Sequence, residues 1–288
     1  MSPRSISRIS VLFLVLALAA VLAFAACKDD KKKTGTTPSV SPTSAAIDIS
    51  GVPELADGTL TAGSDIAYAP FEFYQEGTQT EDGLDVDIAK AMAEVLGVNV
   101  KFVNSPFDTI RDALNTNEFD IVISAMTINP EREKEVDFVP YLRVGTGILV
   151  PAGNPKGIQG LEDLCGLTVA VQLGTIQETM IDDQNAKCDK AIEKVTYDTN
   201  PLAVQDLRTA GADANLSDYP VALLDAQESS GELDVVDTQI TPDPYGIAVR
   251  KGSTELKTAL TEALQAVRDS GKYEAILTKW DLSSTALP

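Results

Sequence analysis

The chain has no histidine among its 288 residues, a single tryptophan and only three cysteines. Without imidazole, Ser-His and Cys-His nucleophile pairs are excluded, and so is the commonest metal ligand. Any acid–base chemistry would fall to carboxylates, lysines or tyrosines, and neither a metal nor a cofactor is expected. Cations are scarce as well: 23 Lys and Arg stand against 43 Asp and Glu, a formal net charge of -20. Binding to a phosphate backbone needs a basic face, so nucleic acid is excluded as a partner. Hydrophobic residues make up 44%, too many for a disordered chain, and the length suffices for one large core or two modest ones.

The amino terminus carries a targeting pattern. Arg4 and Arg8 precede an apolar run from Val11 to Phe24, which ends in Ala25, Ala26 and Cys27. A basic start, a short apolar stretch and small residues at its end describe an export signal over 1–26, too short for a favoured membrane span. Cys27 after two alanines resembles a bacterial lipobox, although Phe24 stands where leucine is favoured. The resemblance implies acylation of Cys27 and an extracytoplasmic protein held at the membrane by its lipid. Residues 27–54, with Lys31, Lys32 and Lys33 followed by a Thr/Ser/Pro/Ala stretch, show no apolar periodicity and read as a flexible tether.

From about Leu55 strands and helices alternate. Short strands are predicted at 60–63, 98–103, 120–124, 147–150, 168–172, 212–216 and 245–249. Helices are predicted over 85–96 with Gly97 at the end, 107–116, from Ile176, 202–210 and 218–229, then from an N-cap at Ser253 to Gly271, and over 273–280. This alternation means an α/β fold with largely parallel sheets. Breaks at Pro151–Pro155 and Thr241–Pro244 divide it into lobe 1 (55–146 and 248–288) and lobe 2 (151–243), with crossings at 147–150 and 244–247, the outline of a hinged clamshell.

In open α/β sheets, ligands bind beyond the carboxyl ends of the strands. There the sequence places Asp65 and Tyr68, then Ala125 and Thr127 with Arg132 beyond, then Gly174 and Thr175 opening a helix, then Asp218. One cation, two carboxylates, hydroxyls and an aromatic suit a zwitterion with a polar side chain.

The stretches DIAYAPFEF, EDGLDVDIAKAMAEVLG, AMTINPEREKEVDFVPY, VAVQLGT, DANLSDYPVALL, YGIAVRKGS and KYEAILTKW, in this order, resemble the amino-acid-binding receptors of ABC importers, such as the glutamine, histidine and lysine/arginine/ornithine binding proteins. The likeness runs from about Leu60 to Trp280. It implies a periplasmic-binding-protein-like clamshell that delivers a free L-amino acid to an ABC-transporter permease and acts as a monomer, not as an enzyme. By the resemblance, Arg132 holds the ligand α-carboxylate, with Thr127, the Ala125 backbone and the amides of Gly174 and Thr175 beside it. Asp218 meets the α-ammonium, Tyr68 and Phe107 sandwich the side chain, and Asp65 reaches its far end. Without the motif, Arg132 would read as a surface arginine in a charged turn, Asp218 as a helix N-cap, Asp65 as a turn former and Phe107 as core. Gln172 stands where some relatives have lysine, and Ile176 where some have glycine or threonine. None of Asp65, Tyr68 and Phe107 is a cation, so the expected ligand has a polar neutral or cationic side chain, arginine or glutamine first.

With Cys27 acylated, the remaining exported pair, Cys165 and Cys188, is expected to be disulfide-bonded. Two other functions share this fold: a cyclohexadienyl-dehydratase-like cleft enzyme, and a ligand-sensing module for a signalling partner.

Overall fold

The computed structural model describes residues 47–236 and 239–287. The expected export signal, Cys27 and the tether as far as residue 46 lie outside them. Along the chain, β1 (Thr59–Ser64) precedes three short strands, β2 (Ala67–Tyr68), β3 (Glu72–Tyr74) and β4 (Glu81–Asp82), which pair among themselves. Then come α1 (Leu84–Leu96), β5 (Asn99–Asn104), α2 (Ile110–Asn115) and β6 (Ile121–Val122). After α3 (Arg132–Glu135) and the long β7 (Val136–Pro151) follow β8 (Thr168–Gln172), α4 (Ile176–Asn185), β9 (Glu193–Tyr197), α5 (Asn200–Arg208), β10 (Ala214–Asp218), α6 (Tyr219–Glu228) and β11 (Leu233–Val235). A second long strand, β12 (Ile240–Arg250), leads into α7 (Thr254–Asp269) and α8 (Lys272–Lys279).

The large sheet runs β5-β1-β6-β12-β7-β10-β8-β9, with β11 also on β7. Strands β5, β1 and β6 are mutually parallel, as are β10, β8 and β9. The antiparallel pair β7–β12 joins the two parallel groups. This is the mixed α/β clamshell that the alternation predicts. Period-two alternation feeds two cores in each group: Ile121 and Ile123 face one layer and Val122 the other, while Ile148 and Val150 face one and Leu149 the other. On α7, Leu256, Ala259, Leu260, Ala263, Leu264 and Val267 form a buried stripe at helical spacing. Burial of such leucines is worth about 2–5 kcal/mol each, judged by truncation to alanine.

Several expectations change. The tether ends earlier than residue 54: Val52 and Leu55 are buried, and Ile47 and Ile49 pack on the same core. Glu54 accepts from Arg250 Nη2 at 3.3 Å and from Ser253 Oγ at 2.9 Å. Ser253 occupies the N-cap of α7, but its hydroxyl makes no cap bond to the helix. The crossings also lie earlier. Gly147–Leu149 already pair with β10, and Pro244–Ile247 pair with the β7 stretch ahead of the passage, so the chain changes groups through the 142–146 and 240–244 stretches. Pro242 and Pro244, read as a break, lie inside β12, and the strand runs on with register shifts against β7. Gly97 and Gly271 both take left-handed φ, at +71° and +74°, and end α1 and α7 as expected. Gly83 has φ +130°, and a Cβ there would stand 2.1 Å from Phe71 O, so only glycine lets α1 begin tight against β3.

Cys165 and Cys188 are disulfide-bonded with Cα atoms 5.4 Å apart, which ties the segment ahead of β8 to the end of α4. Closing the intervening loop constrains the unfolded chain by about 3 kcal/mol. The Cys165→Ser/Cys188→Ser protein should therefore melt roughly 6–12 °C below the parent in a thermal scan. An unchanged melting temperature would show that the bridge adds no stability.

Candidate functional site

The carboxyl ends of β1, β6, β8 and β10 converge on one cavity, and every expected ligand-binding residue except Gly174 lines it. Arg132, the first residue of α3, is 5% exposed. The Asn129 side chain fixes its backbone by accepting from Arg132 N at 2.8 Å. Its guanidinium donates to Thr127 O at 2.7 Å and to Gly174 O at 3.1 Å, and lies 5.4 Å from the centre of the Phe107 ring. Among the described residues no carboxylate stands within ion-pair range of it. Burial, reinforced by the nearby charge of Arg111, lowers its pKa to about 10, so it remains a cation at neutral pH.

Asp218 ends β10 on the opposite wall. It sits at the N-cap of α6 without capping it. Instead its carboxylate accepts from Tyr68 OH at 2.8 Å and Gln177 Nε2 at 2.9 Å, and its own N–H donates to Tyr68 OH at 3.0 Å. Burial raises its pKa to about 6, against the pull of Tyr245, Tyr68, Gln177 and the charge of Arg132. Tyr245 OH lies outside normal hydrogen-bond geometry, so Tyr68 and Gln177 carry most of that contact.

Asp65 follows β1. Its N–H donates to Ser124 Oγ at 3.0 Å, and its carboxylate accepts from Gln172 Nε2 at 2.6 Å across the cleft. Burial raises it to about 6; Gln172 opposes the shift and Asp108 adds to it. Tyr68 and Phe107 supply ring surface to the same cavity. Ala125, at φ +44°, bends the backbone between Ser124 and Thr127.

The loop after β8 is arranged differently from the expectation. Gly174 N donates to Glu178 Oε2 at 2.9 Å, so this amide is already engaged, and it is the carbonyl that meets Arg132. With φ +79° and Asp108 Cα 2.7 Å from where a Cβ would be, the position admits glycine alone. Thr175 lines the cavity, but its hydroxyl donates to Gln172 O and caps α4 by accepting from Glu178 N. Glu72, Ser124 and Gln177 also line the cavity, yet nothing in their sequence positions marked them; Gln172 and Ile176 stood out only as departures from the resemblance.

Residues 60–283 match the bacterial extracellular solute-binding proteins, family 3. The chain is 34% identical to the L-cystine-binding protein TcyJ of Escherichia coli over 77% of its own length and 82% of that protein's. Two structures of an ancestral arginine-binding protein, one bound to arginine and one to glutamine, superpose with TM-scores of 0.74 and 0.73 at 38% identity. They cover 77% and 78% of this chain and 98% of theirs. An ancestral amino acid-binding protein described as a precursor of cyclohexadienyl dehydratase is 40% identical, with TM-score 0.73, over 80% of this chain and 99% of its own. The chain belongs to the bacterial extracellular solute-binding proteins of family 3.

Proposed function

We propose that the protein captures a free L-amino acid with a cationic or amide side chain, arginine foremost, and delivers it to the permease of an ABC importer. The observation that carries this reading is Arg132: a buried cation without a carboxylate partner among the described residues, in a cavity that also holds the buried anion Asp218. A charge taken from water costs several kcal/mol unless it is paired. An α-carboxylate gripped by the planar guanidinium and an α-ammonium at Asp218 offset both penalties together. Asp65 then faces the side-chain end, countered only by the Gln172 amide, with the Tyr68 and Phe107 rings beside it. A carboxylate side chain would be repelled there, whereas a guanidinium gains its charge pairing and about 1–2 kcal/mol of cation–π contact. The ancestral relative solved with arginine and with glutamine supports the same two candidates.

Binding closes two lobes about the β7–β12 passage, as a hinge motion. The contacts of Tyr68 with Asp218 and of Gln172 with Asp65 would then be latches made on closure. The protein acts as a monomer, exported, acylated at Cys27 and tethered to the membrane. The enzyme reading has one specific attraction, a buried acid, Glu72, beside the cavity. Its carboxyl accepts from Ser124 and neighbours Asp85, a position that supports the cavity wall, while Arg132 and Asp218 offer a zwitterion its two opposite charges, which favours the binding reading.

Calorimetric titration with arginine, glutamine and glutamate should rank them in that order, and tightest binding of glutamate would overturn the assignment. Asp65→Asn should weaken arginine much more than glutamine. Arg132→Ala should lower affinity roughly a hundred-fold or more, and near-parent affinity would remove Arg132 from the site. The pH dependence has a definite sign. Asp65 and Asp218 must be ionised to hold cations, so arginine affinity should fall as pH drops through about 6. Because their folded pKa values are raised, the ligand-free protein should instead gain stability over that descent. Parallel slopes for affinity and for ligand-free stability would contradict these roles.

A further inference from the structure

Two acids stand together at one wall of the cavity, Glu72 lining it and Asp85 behind. Glu72, at the start of β3, is 1% exposed, and Asp85, the second residue of α1, is fully buried. The tight start of α1 brings them together: Leu84 N donates to Pro70 O and Asp85 N to Phe71 O, each at 2.9 Å. Glu72 Oε1 accepts from Ser124 Oγ at 2.7 Å. Asp85 Oδ2 accepts from Ala125 N at 2.8 Å and from Tyr141 OH at 2.7 Å. The two remaining oxygens, Glu72 Oε2 and Asp85 Oδ1, are buried without a donor, and the charge of Asp85 bears directly on Glu72. Neither acid pairs with a lysine or arginine among the described residues.

Two neighbouring carboxylates, buried and without a cation, repel strongly, and two orphaned acceptors add a desolvation cost. A single proton removes both problems, since it turns one oxygen into a donor for the other and halves the charge. We propose that Glu72 and Asp85 hold one proton between them at neutral pH and, as a carboxyl–carboxylate pair, position the cavity floor at Ser124 and Ala125. The chain of bonds is continuous. Asp65 N–H donates to Ser124 Oγ, Ser124 Oγ–H to Glu72, the shared proton links Glu72 to Asp85, and Asp85 receives Ala125 N–H. That last bond helps hold Ala125 at φ +44°, a left-handed conformation that a non-glycine residue adopts only with strain. The other ionisable groups that interact with the pair are Asp65, Asp218, Tyr68 and Tyr141, all acids, while Arg132 acts on Asp218. Burial first and mutual repulsion second raise Glu72 well above its ordinary range, and burial lifts Asp85 to about 7, so the pair titrates as a unit. The positioning role rests on the amino-acid-binding reading of the cavity; the proton does not.

The direct test is the infrared spectrum of the ligand-free protein in heavy water near neutral pH. The parent should show the carbonyl stretch of a protonated carboxyl, and Asp85→Asn should lose it. In that variant the asparagine amide can donate to an ionised Glu72 while its oxygen keeps the bonds from Ala125 and Tyr141. Absence of the band from the parent, or its persistence in Asp85→Asn, overturns the shared proton. The floor role is read separately, with arginine as the probe. Asp85→Ala, which strands both Ala125 N and Glu72, should melt roughly 5 °C or more below the parent and bind arginine at least about tenfold more weakly. Asp85→Asn should recover most of both losses, and an Asp85→Asn protein as impaired as Asp85→Ala would overturn that role. If no form binds arginine, the infrared result and the Asn-against-Ala contrast in melting still decide the proposal, and only the ligand assignment fails.

Discussion

A guanidinium withdrawn from water as far as that of Arg132 would ordinarily demand a carboxylate partner. Here carbonyl oxygens of Thr127 and Gly174 and the face of Phe107 hold it in place, and none of these neutralises it. Carbonyl dipoles aim the charge without satisfying it. The rest of the site follows from that choice. Gly174 must be glycine so that the loop after β8 can press against Asp108 and present its carbonyl. Asn129 must fix the first turn of α3. The anion that balances the cavity, Asp218, stands on the opposite wall, where it tempers the arginine's charge without forming an ion pair with it.

The acids of the cavity are governed by the same constraint with the sign reversed. Asp65, Asp218 and the Glu72–Asp85 pair all lie near one another, and each is raised chiefly by burial. Such a concentration of negative charge costs stability in the ligand-free protein. Polar side chains tie these acids down: Ser124 between Asp65 N–H and Glu72, Tyr68 on Asp218, Gln177 between Asp218 and Thr146, and Gln172 between Asp65 and the Asp198 carbonyl. On the proposed reading, the cleft is held ready for a cation and a carboxylate at the expense of its own stability, which is the usual trade at a binding site.

Much of this was legible in the sequence. Strands and helices of ordinary length announced themselves by periodicity, and the strand-end rule combined with the motif likeness located Arg132, Asp218, Asp65 and Tyr68. What escaped detection has a common physical cause, dependence on distant neighbours. Glu72 looks like any acid at the start of a short strand until Ser124, 52 positions away, and Asp85 close round it. The Gly174 amide would serve an anion if Glu178, one turn into α4, did not take it first. The second long strand was read short because Pro242 and Pro244 marked a break, yet β12 runs through both with a register shift against β7. Ile47 and Ile49 lie in a polar, Thr/Ser/Pro-rich neighbourhood, and only their contact with the core shows where the fold begins.

The central claim is that the unneutralised charge of Arg132 is completed by the α-carboxylate of a free amino acid. It can be tested with the protein unaltered, by changing the ligand at that single group. The L-amino acid that raises the melting temperature most should be titrated beside its own α-carboxamide, which keeps the shape, the ammonium and the side chain but not the negative charge. The carboxamide should bind roughly a hundred-fold or more weakly. A carboxamide within about threefold of the parent amino acid, less than 1 kcal/mol, would contradict the account.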